Sequence, residues 1–271
     1  MKFMLRRRLA FVFSGLMAGA LAAAAQSIQQ GSVVIGQAVP GSTLSLEGRA
    51  VPVMPDGRFV IGFDRDAKAN WQLDILNPQG GREVLAIEVA QRSYGVDRIE
   101  GVPQRTVIPD RTPELEARIA RESAEIRQAR EVFSPIAYFD TGFIWPATGR
   151  ISGKYGDQRF YNGTPGRPHY GIDIAAPTGT PVLAPSDGRI LATQDDNFFS
   201  GGTLMMDHGW GLVSAFLHLS KIHVVPGQVV RQGDVIAEVG STGRSTGPHL
   251  DWRMNWGPDV RVDVQLLLPP L

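Results

Sequence analysis

The chain of 271 residues contains no cysteine. Disulfides and lipid attachment at a Cys are therefore excluded, and stability has to come from packed cores or a bound metal. Net charge is also missing, because 27 Lys and Arg balance 27 Asp and Glu. With no excess of positive charge to neutralise phosphates, nucleic acid is not an expected partner. A membrane-spanning length of apolar sequence is barely reached: residues 9–25 form a run of about 17 residues interrupted by Ser14, Gly15 and Gly19, at the short edge of the spanning range. Lys2 and Arg6, Arg7 and Arg8 precede that run and Ala23, Ala24 and Ala25 close it, so residues 1–25 read as a cleavable secretory signal. Membrane contact is expected only through this segment. Its removal takes away only positive charge and leaves a mature chain with about four more acidic than basic residues.

What remains is long enough for two domains, each burying its own core. Residues 26–98 alternate short β-like runs (32–35, 43–46, 58–63, 71–76 and 83–90) with turn signals at Pro40-Gly41, Asp56-Gly57 and Asn77-Pro78. That spacing predicts a small N-terminal β-sandwich, without a catalytic constellation, serving as a spacer or wall-docking module. Residues 99–135 predict a linker with a charged helix: Thr112 suits the N-cap, Pro113 the first helical position, Glu114 and Glu116 the first turn, and Pro135 stops it. Leu115, Ile119, Ile126 and Phe133 give only a thin apolar stripe, so the helix is expected to bridge domains with much of its surface wet. Residues 136–271 return to strands at 182–184, 188–192, 204–207, 212–217, 235–239 and 250–255, predicting a compact antiparallel β domain. The expected fold class is thus mainly β.

All five histidines lie between His169 and His249. A catalytic zinc site needs about three N or O ligands and an open position for water. His169 and Asp173 can supply two, with Gly171 between them allowing the backbone to bend. His249 and Asp251 stand two apart on a predicted strand, so they project to one face while Leu250 points into the core. His208, in the turn Asp207-His208-Gly209, and His223, in a surface loop, are expected to be structural.

The stretch from Arg167 through His169-Tyr170-Gly171-Ile172-Asp173 to Pro177 resembles the metal-binding signature of the lysostaphin/LytM-type zinc metallopeptidases. Phe216-Leu217-His218-Leu219, the turn Pro226-Gly227-Gln228, Gln232-Gly233-Asp234 and the segment entering His249 follow in that family's order. The resemblance covers about 120 residues, from Gly149 to the C-terminus. It implies an antiparallel β peptidase domain with a metal on His169, Asp173 and residue 251, His218 and His249 as the metal-free catalytic pair, and peptidoglycan stem peptides as substrate. An exported enzyme of this kind is expected in the periplasm, cutting cross-links.

One position departs from the resembled pattern, whose last motif reads His-x-His with the second His on the metal: residue 251 is Asp. Asp is an acceptable zinc ligand of similar reach, but it cancels one more charge of the ion. A less positive centre acidifies water less and polarises a carbonyl less. The expectation is a slower zinc hydrolase, a shift toward a harder ion such as Mn²⁺, or a non-catalytic LytM-type module that activates a cell-wall amidase or scaffolds division proteins. Residues 152–168, with Tyr155, Arg159, Tyr161 and Asn162, are expected to border the substrate groove, and residues 195–202, with Phe198 and Phe199, to form its second wall. A lipoyl-type carrier, suggested by turns at Thr180-Pro181-Val182 and 230–236, is disfavoured because Lys221 is the only lysine after Lys154 and does not sit at a tight hairpin tip.

Overall fold

The computed structural model describes residues 28–269. The expected signal segment lies outside that range. Two compact units divide the described chain, one ending at Gln91 and the other beginning at Arg92.

In the first unit an antiparallel pair, Val33–Gln37 with Arg58–Gly62, accompanies a four-stranded sheet in the order Arg49–Val51, Thr43–Leu46, Asn70–Leu76, Arg82–Glu88. Period-two alternation turns Leu44 and Leu46 inward to join Phe59, Ile61, Phe63 and Leu73 in the core. The Arg49–Val51 strand carries no apolar run and was not anticipated. It is set by a two-residue hairpin loop in which Glu47 (φ 49°) and Gly48 (φ 82°) both take the left-handed conformation that matches strand twist. Glu47 holds that conformation by accepting hydrogen bonds from Lys68 Nζ and the Gln72 amide, each at 2.7 Å.

The second unit is built on an eight-stranded antiparallel sheet. Its path runs Val229–Val230, Gly188–Asn197, Gly201–Gly209, Leu212–Leu219, His249–Trp256, Gly171–Ala175, Arg150–Gly153, with Val260–Val262 also pairing on His249–Trp256. A three-stranded sheet of Pro181–Leu183, Val235–Glu238 and Lys221–Ile222 adjoins it in sequence. One face of the large sheet buries Phe216, Trp252, Met254 and Leu250.

One boundary and one placement differ from the expectation. Val96–Ile99 pairs in parallel with Gln158–Tyr161, so the second unit starts ahead of residue 98. The charged helix is Pro113–Glu131, capped by the Thr112 hydroxyl accepting from the Leu115 amide at 3.3 Å. It lies on the large sheet rather than between domains. Ala129 is buried against Met205, Val213, Ala215 and Leu217, with Ile126 packed at the margin, and Glu122 accepts the Phe198 amide at 3.0 Å. The stripe is thin because a single small side chain is enough to seat the helix on a flat, apolar sheet surface. Among the described residues no helix is long and apolar enough to cross a membrane.

Candidate metal centre

Asp173 and Asp251 face each other directly across the antiparallel pairing of Gly171–Ala175 with His249–Trp256. Directly paired residues share a face, so the two carboxylates meet on the side opposite Leu250 and Ile174, both of which are fully buried. His169 enters from just before the first strand, where its amide donates to Asp157 O and its carbonyl accepts from Gly156 N. The three side chains offer ligand atoms within 4.8 Å of one another, all of them buried. His169 Nε2 lies 3.1 Å from Asp173 Oδ1. Both ring nitrogens of His169 and that Asp173 oxygen are nonetheless buried without a hydrogen-bond partner. Buried polar atoms are rarely left so, and an unpartnered His169 Nε2 beside an unpartnered Asp173 Oδ1 fits part of a cation's donor set, to which His169 gives one nitrogen.

His218 and His249 stand beside these groups with ring centroids 4.8 Å apart. Since Leu217 pairs with Asp251 on the site face, regular alternation would turn His218 to the other side. A register slip against Gly201–Gly209 and a left-handed backbone at His218 (φ 64°) turn it back. Such a conformation costs about 1–3 kcal/mol for a residue other than Gly and collects at functional sites. Each ring is anchored by Nδ1: His218 donates to Thr242 O at 2.7 Å and His249 to Gly247 O at 2.8 Å. A carbonyl can only accept, so in its neutral form each ring carries its proton on Nδ1 and leaves Nε2 free to accept. His249 Nε2 lies 3.9 Å from Asp173 Oδ1. Burial pushes His218 down to about 4, which keeps it neutral near pH 7.

Two arginines complete the cluster, and neither was assigned to it from sequence. Arg159, expected on the groove, instead pairs its Nη2 with Asp173 Oδ2 and holds its Nε 3.6 Å from Asp97. Arg253 binds both oxygens of Asp251, with Nε at 3.0 and 3.1 Å and Nη2 at 2.5 Å. Burial acts to raise both carboxyls. For Asp173 the contacts with His169 and the Arg159 guanidinium outweigh it, and for Asp251 the Arg253 guanidinium does, so both stay below the ordinary carboxylate range. The signal for Arg253 was its i+2 relation to Asp251, which puts both on one face.

Glycines make room for these pairs. Gly171 is part of an extended strand and does not bend the backbone between His169 and Asp173 as expected. A Cβ there would sit 2.5 Å from Arg253 Cγ and 2.9 Å from Asp251 Oδ1. Any side chain at Gly153 would likewise meet Arg159 Nη2 and the Asp173 carboxylate. Tyr155 donates to Arg261 O, and Asn162 donates to Val102 O and Gln104. Tyr161 carries the Arg244 guanidinium over its ring at 4.1 Å, and Phe199 has the same guanidinium at 5.1 Å. His208 lies in the core, and His223 pairs with Glu238 at 2.9 Å near the surface.

Residues 167–263 match Peptidase family M23. The crystal structure of a candidate M23 peptidase from Pseudomonas aeruginosa is 30% identical and covers 89% of this chain and 95% of its own, with a TM-score of 0.68. The chain belongs to peptidase family M23. Among curated relatives, the DD-carboxypeptidase/endopeptidase Mpg of Neisseria meningitidis serogroup B is 46% identical over 107 residues, 39% of this chain and 24% of that protein. The cell division protein DipM of Caulobacter vibrioides is 36% identical over 132 residues, 47% of this chain and 21% of that protein. The chain thus spans under a quarter of the length of these two curated relatives.

Proposed function

We propose that this M23 chain is an exported metalloendopeptidase that hydrolyses peptide cross-links of peptidoglycan in the periplasm, with one divalent ion, zinc or Mn²⁺, on His169, Asp173 and Asp251. The observation that carries the reading is the meeting of buried ligand atoms from His169, Asp173 and Asp251, with His169 Nε2 and Asp173 Oδ1 lacking a hydrogen-bond partner. An ion held there supplies Lewis-acid polarisation of the scissile carbonyl and lowers the pKa of water. The remaining work falls to the two histidines. His249, whose bare Nε2 faces the carboxylate cluster, accepts the proton of the attacking water and passes it to the departing amine. His218, neutral with its Nε2 unprotonated, accepts a hydrogen bond from the second proton of the attacking water and so orients it. The Thr242 and Gly247 carbonyls hold both rings with Nε2 inward throughout.

A second reading, a non-catalytic module acting on a cell-wall amidase or division protein, is favoured by Arg159 and Arg253. They already supply each carboxylate with a cation. Metal analysis with muropeptide release from purified walls separates the two. The hydrolase reading expects about one tightly held divalent ion per chain, turnover in the wild type, and loss of both in Asp251→Ala. Stoichiometric metal without turnover selects the module.

A further inference from the structure

We propose that Arg253 is a positioning residue that acts through Asp251, offsetting the negative charge this carboxylate brings to the cation site where the resembled family places a His. This rests on the metal reading above and concerns how residue 251 meets its role. Along one face of His249–Trp256, His249, Asp251 and Arg253 follow one another at alternate positions, so Asp251 stands between a candidate catalytic base and a fixed positive charge. Asp251 is wholly buried, and Arg253 reaches both of its oxygens through Nε and Nη2. This side-on contact sets one guanidinium charge against both carboxylate oxygens. The contact has a built seat, because Arg253 lies over the space that Gly171 leaves open on the neighbouring strand.

The consequence is electrostatic. A divalent ion among a neutral imidazole and two carboxylates carries no net charge, which from sequence alone predicts a weakened centre. The pair of Asp251 with Arg253 is itself neutral, as an imidazole is. Taken together they return to the ion the charge that Asp251 cancels, so the departure at residue 251 and the arginine two residues on form one compensated change.

The test is Zn²⁺ titrated alone into chelator-stripped full-length protein at fixed pH, with circular dichroism to verify folding. The expected order of affinity is Arg253→Gln tightest, wild type and the double variant Asp251→His with Arg253→Gln alike, and Asp251→His weakest, with steps on the order of tenfold. Arg253→Lys keeps the charge and is expected to stay near the wild type, which a purely structural role for the guanidinium would not produce. Asp251→His binding as tightly as the wild type, or Arg253→Gln and Arg253→Lys changing affinity together, overturns the proposal while leaving the metal reading in place. A wild type that takes up no ion overturns both.

Discussion

His208 shows how one residue type divides between chemistry and scaffold. Its ring is fully buried, Nδ1 faces Asp187 O at 3.2 Å, and Nε2 accepts from Ser214 Oγ at 2.7 Å, which in turn accepts from Trp252 Nε1 at 3.1 Å. Every polar atom of the neutral ring is satisfied, whereas in His169 neither nitrogen is. Burial pushes His208 down to about 4. Its unfolded value is near 6.5, so between those limits the unfolded chain binds the extra proton. The stability contributed is present in full above pH about 6.5 and is lost as pH falls toward about 4, on the order of 3 kcal/mol across the window. His208→Gln is expected to flatten the pH dependence of the urea midpoint over that window, and an unchanged slope would refute the assignment. His218 titrates in the same direction and for the same reason. From sequence His208 was placed in a turn and His218 on a strand, yet both lie on strands, His208 within Gly201–Gly209 and His218 within Leu212–Leu219. What separates them in space is which face of the large sheet each one reaches.

At the level of elements, the helix Pro113–Glu131 makes the sharpest prediction. It seats Ala129 on Met205, Val213, Ala215 and Leu217. These strand residues share the face that bears Asp251, because Leu217 pairs with Asp251 and Ala215 with Arg253. Ala129→Asp places an unpaired charge in that contact and is expected to destabilise the second unit by about 2–4 kcal/mol, read as a lowered denaturant midpoint. A loss below about 0.5 kcal/mol, the range of ordinary surface substitutions, would mean that the helix is not anchored there. Its start and cap were legible because Thr112, Pro113 and the acidic first turn act locally. Its seat was not, since one alanine in a charged sequence gives no periodic signal. Strands whose apolar residues alternate, such as Thr43–Leu46, were legible for the opposite reason. The three-residue Arg49–Val51 and the parallel Val96–Ile99 take their conformation from partners, a hairpin loop in one case and a strand distant in sequence in the other.

For the whole molecule, the division after Gln91 puts every candidate ligand and both candidate catalytic histidines in one unit. A ligand stabilises only the unit that binds it. Calorimetry is therefore expected to show chelation lowering the melting of the second unit alone, and a uniform shift of all transitions would contradict that assignment. The sequence by itself determined the mainly β class, the order of the M23 landmarks and the identity of the residues that meet. Residue types at fixed spacing on strands dictate which side chains share a face, and that rule is local. Only the tertiary structure decided how those residues are balanced. Arg159 arrives from another strand, Arg253 lies across a neighbouring glycine, and His218 is turned inward by a bulge. Charge compensation and backbone reversal depend on strand register, which arises from pairing between distant segments and leaves no mark within either one.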